Sequence, residues 1–411
     1  MQSNRDLIKL GFVFGLIYFF STNGLANLPG ISVTFLLKEK IGLSASQASY
    51  FAAVSMLGWC IKPLWGMLSD AVPIFGYRRK PYLILTCLAA AFVWFWLGRT
   101  ENYTAPLLLM MFTISSFTYA FNDVACDGLM LDKGKATGLT GEFQSVQWGA
   151  VFAAGIITSL AGGWVADNWT QQNIFLVNAV FPLFAGLVIF FLVKEDKSVS
   201  AGGQMRKSFL AIRETCRDKH LWLVVFFLFF WAFRPSAGIP FQYYAMDVLK
   251  FDKIFFGIAG AVVGAAAIVG AFVFAKFQKN FRQKRIINLA ILFGVLTAIF
   301  DLVYFTETLK NDLFLAKAVY LVSAALLGSM SSFILLPLLN LAASVCPKYS
   351  EGTTFALLTS FWNIGGLGSS ALGGWLFDQI GLQLLIIVSA LFAVLSWFIV
   401  PYLKLEEKKG E

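Results

Sequence analysis

The chain has 411 residues, is 58% hydrophobic and only 13% charged, and carries a formal net charge of +9 from 32 Lys and Arg against 23 Asp and Glu. Soluble domains are about a quarter charged, and a globule of this size has too little polar surface to cover so much hydrocarbon. A soluble enzyme, a nucleic-acid binder, a disordered chain and a disulfide scaffold are therefore excluded, and the bilayer must be the solvent.

A helix crosses a ~30 Å hydrocarbon core with about 20 mostly apolar residues. Along the chain such runs fall near 7–37, 48–69, 81–98, 106–131, 142–166, 173–193, 219–249, 254–275, 285–305, 313–345, 353–377 and 382–403. The first extends past signal-peptide length and lacks an Ala-x-Ala-like cleavage site, so it is expected to remain a span. The first and seventh are overlong and interrupted, by Asn23-Gly24 and Pro29-Gly30 in one and by Pro235 to Pro240 in the other. After the fourth comes a short loop, Asp132-Lys133-Gly134-Lys135. The longest polar connection lies at mid-chain. The expected organisation is a six-helix bundle over 1–197, a cytoplasmic linker over 198–218 and a second six-helix bundle over 219–411.

Twelve spans put both termini on one side. Lys38, Lys40, Arg99, Lys250, Lys253 and Lys310 fall on the other, and Lys62, Arg234 and Lys317 fall inside spans; the remaining 23 of 32 basic residues lie with the termini. The positive-inside rule then places both termini in the cytoplasm, and short tails fit a bacterial cell (inner) membrane. The surplus charge is thus a topology signal. The five Cys stand singly and the one His, His220, opens an apolar run, so neither a metal site nor a His-based triad has its parts. No phosphate-binding loop is present, which disfavours ATP-driven transport. No cofactor is expected.

The halves resemble one another at an offset of 211. Gly162-Gly163-Trp164 and Asp167 at the end of the fifth span match Gly373-Gly374-Trp375 and Asp378 at the end of the eleventh; Gly141, Gly155 and Ser159 match Gly352, Gly366 and Ser370. The same offset pairs Pro29 with Pro240, one in each interrupted span. Corresponding Gly/Pro-broken helices in two halves point to a transporter's binding cavity, because freed backbone groups need a cavity or protein partners. Packing kinks copied by duplication would look the same. Two parallel six-helix repeats, all helical and membrane-embedded, describe the major facilitator fold.

Three constellations carry chemistry. Lys62, Gly66 and Asp70 close the second span, followed by Arg78 and Arg79; Gly66 permits close helix approach, and Asp70 can pair with Arg78 or Arg79 as a gate. Asp123 and Asp127 in the fourth span share a helical face. Two carboxylates within a membrane suit a proton carrier, yet they lie at the depth of Lys62 and could equally pair with it or with Arg78 as part of the gate. Arg234 lies about 22 Å into the seventh span, beside the interruption. Its planar fork suits an anionic substrate; a structural pair with Asp123 or Asp301 is the alternative. Lys317 is close enough to its span end to snorkel. Asn23 and the aromatic residues Trp148, Tyr243, Tyr244 and Trp362 flank the broken segments or repeat-related helices and are candidates to hold a flat ring.

Lys62-Pro63-Leu64-Trp65-Gly66 with Gly76-Tyr77-Arg78-Arg79-Lys80-Pro81-Tyr82 resembles the folate–biopterin transporter family of the major facilitator superfamily. Asp123-Val124 with Asp127, Gln144-Ser145 with Trp148, Gly162-Gly163-Trp164, and Pro235-Ser236-Ala237 with Tyr243-Tyr244 resemble it too. Arg234 and the loop at Asp132–Lys135 depart from the family pattern. The resemblance implies uptake of pterins, folates or related organic anions with proton symport. The expectation is a proton-coupled secondary transporter, monomeric in the lipid bilayer, that works by alternating access and is neither an enzyme nor a nucleic-acid binder. Asp123 and Asp127 would handle protons, and Arg234 the anion. A carrier of another small organic anion or amino-acid-like metabolite competes with it, as does a non-transporting assembly or pigment-delivery relative.

Overall fold

The computed structural model describes residues 4–21, 24–197, 217–277, 283–344 and 351–403. Asn23 and residues 198–216 of the expected linker lie outside them. Apart from an isolated bridge between Ile74 and Tyr77, the described residues form helices and turns.

Span 1 comprises Asn4–Phe20, a 3₁₀ turn at Leu25–Asn27, Gly30–Phe35 and a π-helical end, Leu36–Lys40. Span 2 is Ala45–Ser55, Leu57–Cys60 and Lys62–Ala71; span 3 is Lys80–Arg99, span 4 Ala105–Thr137, span 5 Thr140–Asn168 and span 6 Gln171–Leu192. Span 7 is Lys219–Ala232 and Gly238–Asp247, span 8 Lys253–Phe277, span 9 Gln283–Phe300 with a 3₁₀ turn at Asp301–Phe305, and span 10 Leu313–Ser344. Spans 11 and 12 share Glu351–Leu395, divided at Gly381, whose φ of 73° and ψ of 175° are open essentially to glycine alone. By length and apolarity alone, nine described stretches could cross a membrane. Spans 2 and 7 miss that measure because they are broken, and Thr354–Tyr402 holds two crossings in one stretch.

Large apolar side chains are exposed in both repeats, among them Phe191, Phe272 and Phe314, as a lipid-facing surface requires. The interior of the first repeat packs around Phe14, Ile17, Leu83 and Ile189, and that of the second around Leu221, Phe227, Ile291 and Leu341.

Two sequence expectations change. Asp132–Lys135 is not a loop: span 4 stays helical to Thr137 and stops at Gly138, whose φ of 75° makes it a left-handed cap. Nothing in that tetrapeptide forbids a helix. Span 2, expected unbroken, is interrupted around Met56 and Ile61. Pro63 has no N–H to donate to Trp59 four residues earlier, and that carbonyl instead accepts from Asn363 Nδ2 of span 11 at 2.9 Å.

The duplicated Gly-Gly pairs explain how the halves meet. In each pair the first glycine packs within its own repeat. A Cβ on Gly162 would lie 2.9 Å from the Leu28 carbonyl oxygen of span 1, and one on Gly373 would lie 2.1 Å from that of Ser236 in span 7. The second glycine faces the other repeat. A Cβ on Gly163 would stand 3.0 Å from Gly257 Cα of span 8, and one on Gly374 3.3 Å from Ser46 Cα of span 2. Ser46 and Gly257 are themselves related by the offset of 211, as are Ser49 and Gly260 beside them. The contact, as well as the sequence, is duplicated.

These seams lie toward the face opposite the termini. There Lys38 pairs with Asp247, Ser46 donates to Asp378, and Ser370 Oγ donates to the Ser49 carbonyl at 3.1 Å. Phe35 meets Phe256 there as well.

Candidate functional site

Two sets of buried or half-buried polar residues occupy the interior, one in each repeat. In the first, Asp123 on span 4 is 4% exposed, and its Oδ2 accepts from Lys62 Nζ at 2.7 Å. Lys62 also stands 4.8 Å over the Trp59 ring. Tyr18 Oη of span 1 lies 2.9 Å from Asp123 Oδ1 and 2.6 Å from Asp127 Oδ1. The i, i+4 spacing puts both carboxyls on the face that Tyr18 meets. A phenol has one hydrogen to donate, so a full second hydrogen bond requires a proton on a carboxyl oxygen. Next to this trio Asn122 donates to Thr86 Oγ1 at 2.8 Å and accepts from Ser21 Oγ at 3.2 Å, tying spans 1, 3 and 4.

The Asp70 group lies nearer the face bearing the termini. Arg79 Nη2 donates to Asp70 at 2.7 Å and Nη1 to Ser69 Oγ at 2.9 Å, while Arg78 reaches Asp132 at 3.8 Å. Arg79 is the partner of Asp70. Its guanidinium rests against span 4 at Gly128, where a Cβ would lie 2.5 Å from Arg79 Cζ. Gly66 faces Val124 across the same helix pair. Glu195, which the sequence did not single out, accepts the backbone N–H groups of Arg78, Arg79 and Lys80 at 2.7–3.2 Å. Lys80 Nζ answers by donating to the carbonyls of Phe190 and Val193 at the end of span 6. The start of span 3 and the end of span 6 therefore cap each other with charges of the sign each helix end favours.

The second repeat holds a cavity of about 940 Å³ that also reaches Ile31, Thr34 and Phe35 of span 1. Arg234, Gln242, Asp301, Tyr320, Ser323 and Trp362 supply its polar and aromatic wall. The break in span 7 that presents Arg234 is held by span 11: Ser236 N donates to the Ser369 carbonyl at 3.0 Å, and Ser369 Oγ donates to the Arg234 carbonyl. Two of the freed backbone groups are thereby paired with protein. Among the described residues no carboxylate lies within 4.0 Å of the Arg234 guanidinium; Asp301, on the same cavity, is the acid whose charge it feels. Asp123 is already committed to Lys62.

The structure thus brings Arg234 and Trp362 together and sets other sequence candidates apart. Tyr243 is 7% exposed in the seam between repeats, beneath Lys38, and its hydroxyl finds no partner among the described residues. Tyr244 Oη donates to the Tyr304 carbonyl at 2.9 Å and its ring packs on Phe305. Trp148 is 38% exposed beside Phe152. It continues, toward the terminal face, the helical stripe through Ile156, Ser159 and Gly163 that meets span 8. Lys317 reaches Asp252 at 2.5 Å in the connection before span 8, as snorkelling predicts.

The fold and sequence agree with known transporters. The D-xylose–proton symporter structure superposes with a TM-score of 0.73 over 100% of each chain at 13% identity. The nucleoside transporter NupG gives 0.70 over 98% of this chain and 100% of that one at 12% identity. At such identities the likeness concerns the fold alone, the major facilitator architecture. The chain is 29% identical over 405 residues to the folate-biopterin transporter of Synechocystis sp. (95% of this chain, 80% of that protein). It is 24% identical over 450 residues to the probable folate-biopterin transporter 4 of Arabidopsis thaliana (93% and 91%), and 25% identical over 420 residues to folate transporter 2 of Plasmodium falciparum (97% and 90%). The BT1 family profile matches residues 23–405. With that match over nearly its whole length, the chain belongs to the BT1 family and is a membrane transporter rather than an enzyme.

Proposed function

We propose that the protein is a proton-coupled symporter of a folate- or pterin-like organic anion, acting as a monomer by alternating access across the cell (inner) membrane with both termini cytoplasmic. The observation that carries this reading is Arg234, a cation in a cavity of about 940 Å³ with no carboxylate within 4.0 Å among the described residues. A partly buried cation kept without a tight partner is costly and waits for an anion. The cavity is of a size that encloses small ligands, and Trp362 offers a face for a flat ring. The names of the similar transporters agree with a pterin or folate.

In this reading the Tyr18–Asp123–Asp127 trio carries the proton, Lys62 balances its charge, and the Asp70–Arg79 group braces the cytoplasmic gate with Gly66 and Arg78. Bundles 1–197 and 219–411, joined by 198–218, rock about the cavity. The Lys38–Asp247 pair and the Ser46–Asp378 hydrogen bond join the repeats on the face opposite the termini, which supports an inward-facing state if the termini are cytoplasmic.

Proteoliposomes test the reading. Labelled folate or biopterin should accumulate under an inward proton gradient, and an uncoupler should stop it. Asp127→Asn should lose the gradient dependence but keep exchange of substrate, and Arg234→Gln should weaken binding more than it lowers folded yield. Gradient-driven uptake that survives Asp127→Asn would remove the proton role from this trio.

A further inference from the structure

We infer that Asp301 reads the ring of the substrate, accepting the N3–H and the 2-amino N–H of a pterin through its two carboxylate oxygens; this rests on the substrate class argued above. Asp301 stands where the helix of span 9 tightens into the 3₁₀ turn Asp301–Phe305, and its side chain lines the same cavity as Arg234. Among the described residues its carboxylate has neither a hydrogen-bond donor nor an ion-pair partner within 4.0 Å. A carboxylate partly withdrawn from water and left so is costly. The cavity therefore holds one cation and one anion that do not close on each other.

That pair selects for a kind of ligand. A simple organic anion would satisfy Arg234 but would meet repulsion at Asp301. A 2-amino-4-oxopteridine offers on one edge two adjacent N–H donors, which match a carboxylate as a guanidinium does, followed by a carbonyl acceptor. Asp301 takes the donors, and Arg234 takes the 4-oxo group or an anionic tail. The ring itself finds flat partners. Phe241 and Tyr320, both on the cavity wall, lie within 14° of parallel at 6.3 Å, and Trp362 lines the same space. Tyr304 steadies Ser323 beside them at 2.7 Å.

The test compares pterin with lumazine, which has the same ring with oxygen in place of the 2-amino group. Binding to purified full-length protein is followed by quenching of tryptophan fluorescence. The wild-type protein should bind pterin about 100-fold more tightly than lumazine, as expected for loss of one charge-assisted hydrogen bond. Asp301→Asn should shrink the preference to about threefold, and Asp301→Glu should retain most of it. Equal binding of the two rings by wild-type protein overturns the proposal without any variant having to fold. So does an undiminished preference in Asp301→Asn. Wild-type protein that binds no pterin or folate at all removes the substrate reading itself. Protein that binds pterin but ignores the 2-amino group removes only the role of Asp301.

Discussion

The side-chain amide of Asn363 in span 11 donates to the backbone carbonyl of Trp59 in span 2 at 2.9 Å. This hydrogen bond joins the two repeats, and it exists because Pro63 leaves that carbonyl without its helical donor. Asn363→Ala should strand the carbonyl and cost about 1–3 kcal/mol. Pro63→Ala supplies a helical N–H to the same oxygen, so the double variant should lose less than the sum of the single ones. A double-mutant cycle on thermal unfolding of the purified protein measures this; strict additivity would mean that the two residues act independently.

Lys62 and Asp123 form a tight pair, with side chains 15% and 6% exposed. Removing one partner leaves an uncompensated charge and should cost about 3–5 kcal/mol. Lys62→Met with Asp123→Leu should recover much of that loss. Folded yield and unfolding temperature would reveal the recovery, while gradient-driven uptake should stay lost in the double variant.

Gly163 and Gly374 are the close points of the two seams. A leucine at either position should hold the repeats apart on the face opposite the termini. Uptake should then fall without loss of expression. A cysteine placed at Ser159 should react faster with a membrane-impermeant thiol reagent when Gly163→Leu is also present. An unchanged labelling rate would show that the seam tolerates the bulk.

Glu195 caps three N–H groups at the start of span 3. Glu195→Ala should destabilise by about 1–2 kcal/mol, the range of a lost helix cap, and Glu195→Gln by less because it keeps an acceptor. Unfolding temperatures of the two variants give the order, and the reverse order would deny the cap.

Outside the membrane, burial disfavours ionisation of Asp252, but the Lys317 hydrogen bond and the Phe255 N–H outweigh it and hold the carboxyl below its ordinary value. A depressed folded value means stability that is present above the unfolded pKa, about 4, and is lost as pH falls through the folded one. Wild-type protein should therefore lose stability below about pH 4 more steeply than Lys317→Met, in which that depression is relieved. Unfolding temperatures measured from pH 7 downward would show the two curves converging in acid.

Much of this was open to reading in the sequence, because a bilayer demands long apolar runs and lysine and arginine mark their ends. The breaks in spans 1 and 7 carried clustered Gly and Pro. Pro63 announces the break in span 2 as well, but a single proline in an apolar run fits a kinked, continuous helix equally. Asp301 sits at the end of an apolar run, as interface residues do, and only the tertiary fold turns it into the cavity. Neighbouring residues on a helix point about 100° apart, so Tyr243 and Tyr244 could not both have faced one ligand. Glu195 has no local signature, since its partners lie more than a hundred residues away.

The duplicated seams are alike in shape and unlike in chemistry. Between spans 5 and 8, Gly163, Gly257 and Gly260 meet through backbone and small side chains; parting them separates close packing. Between spans 2 and 11, the same displacement must also pull Ser46 from Asp378 and Ser370 from the Ser49 carbonyl. One seam is thus bare and the other bolted, and under the proposed alternating access the molecule should open as a book does, peeling from the bare edge while the bolted one serves as its spine.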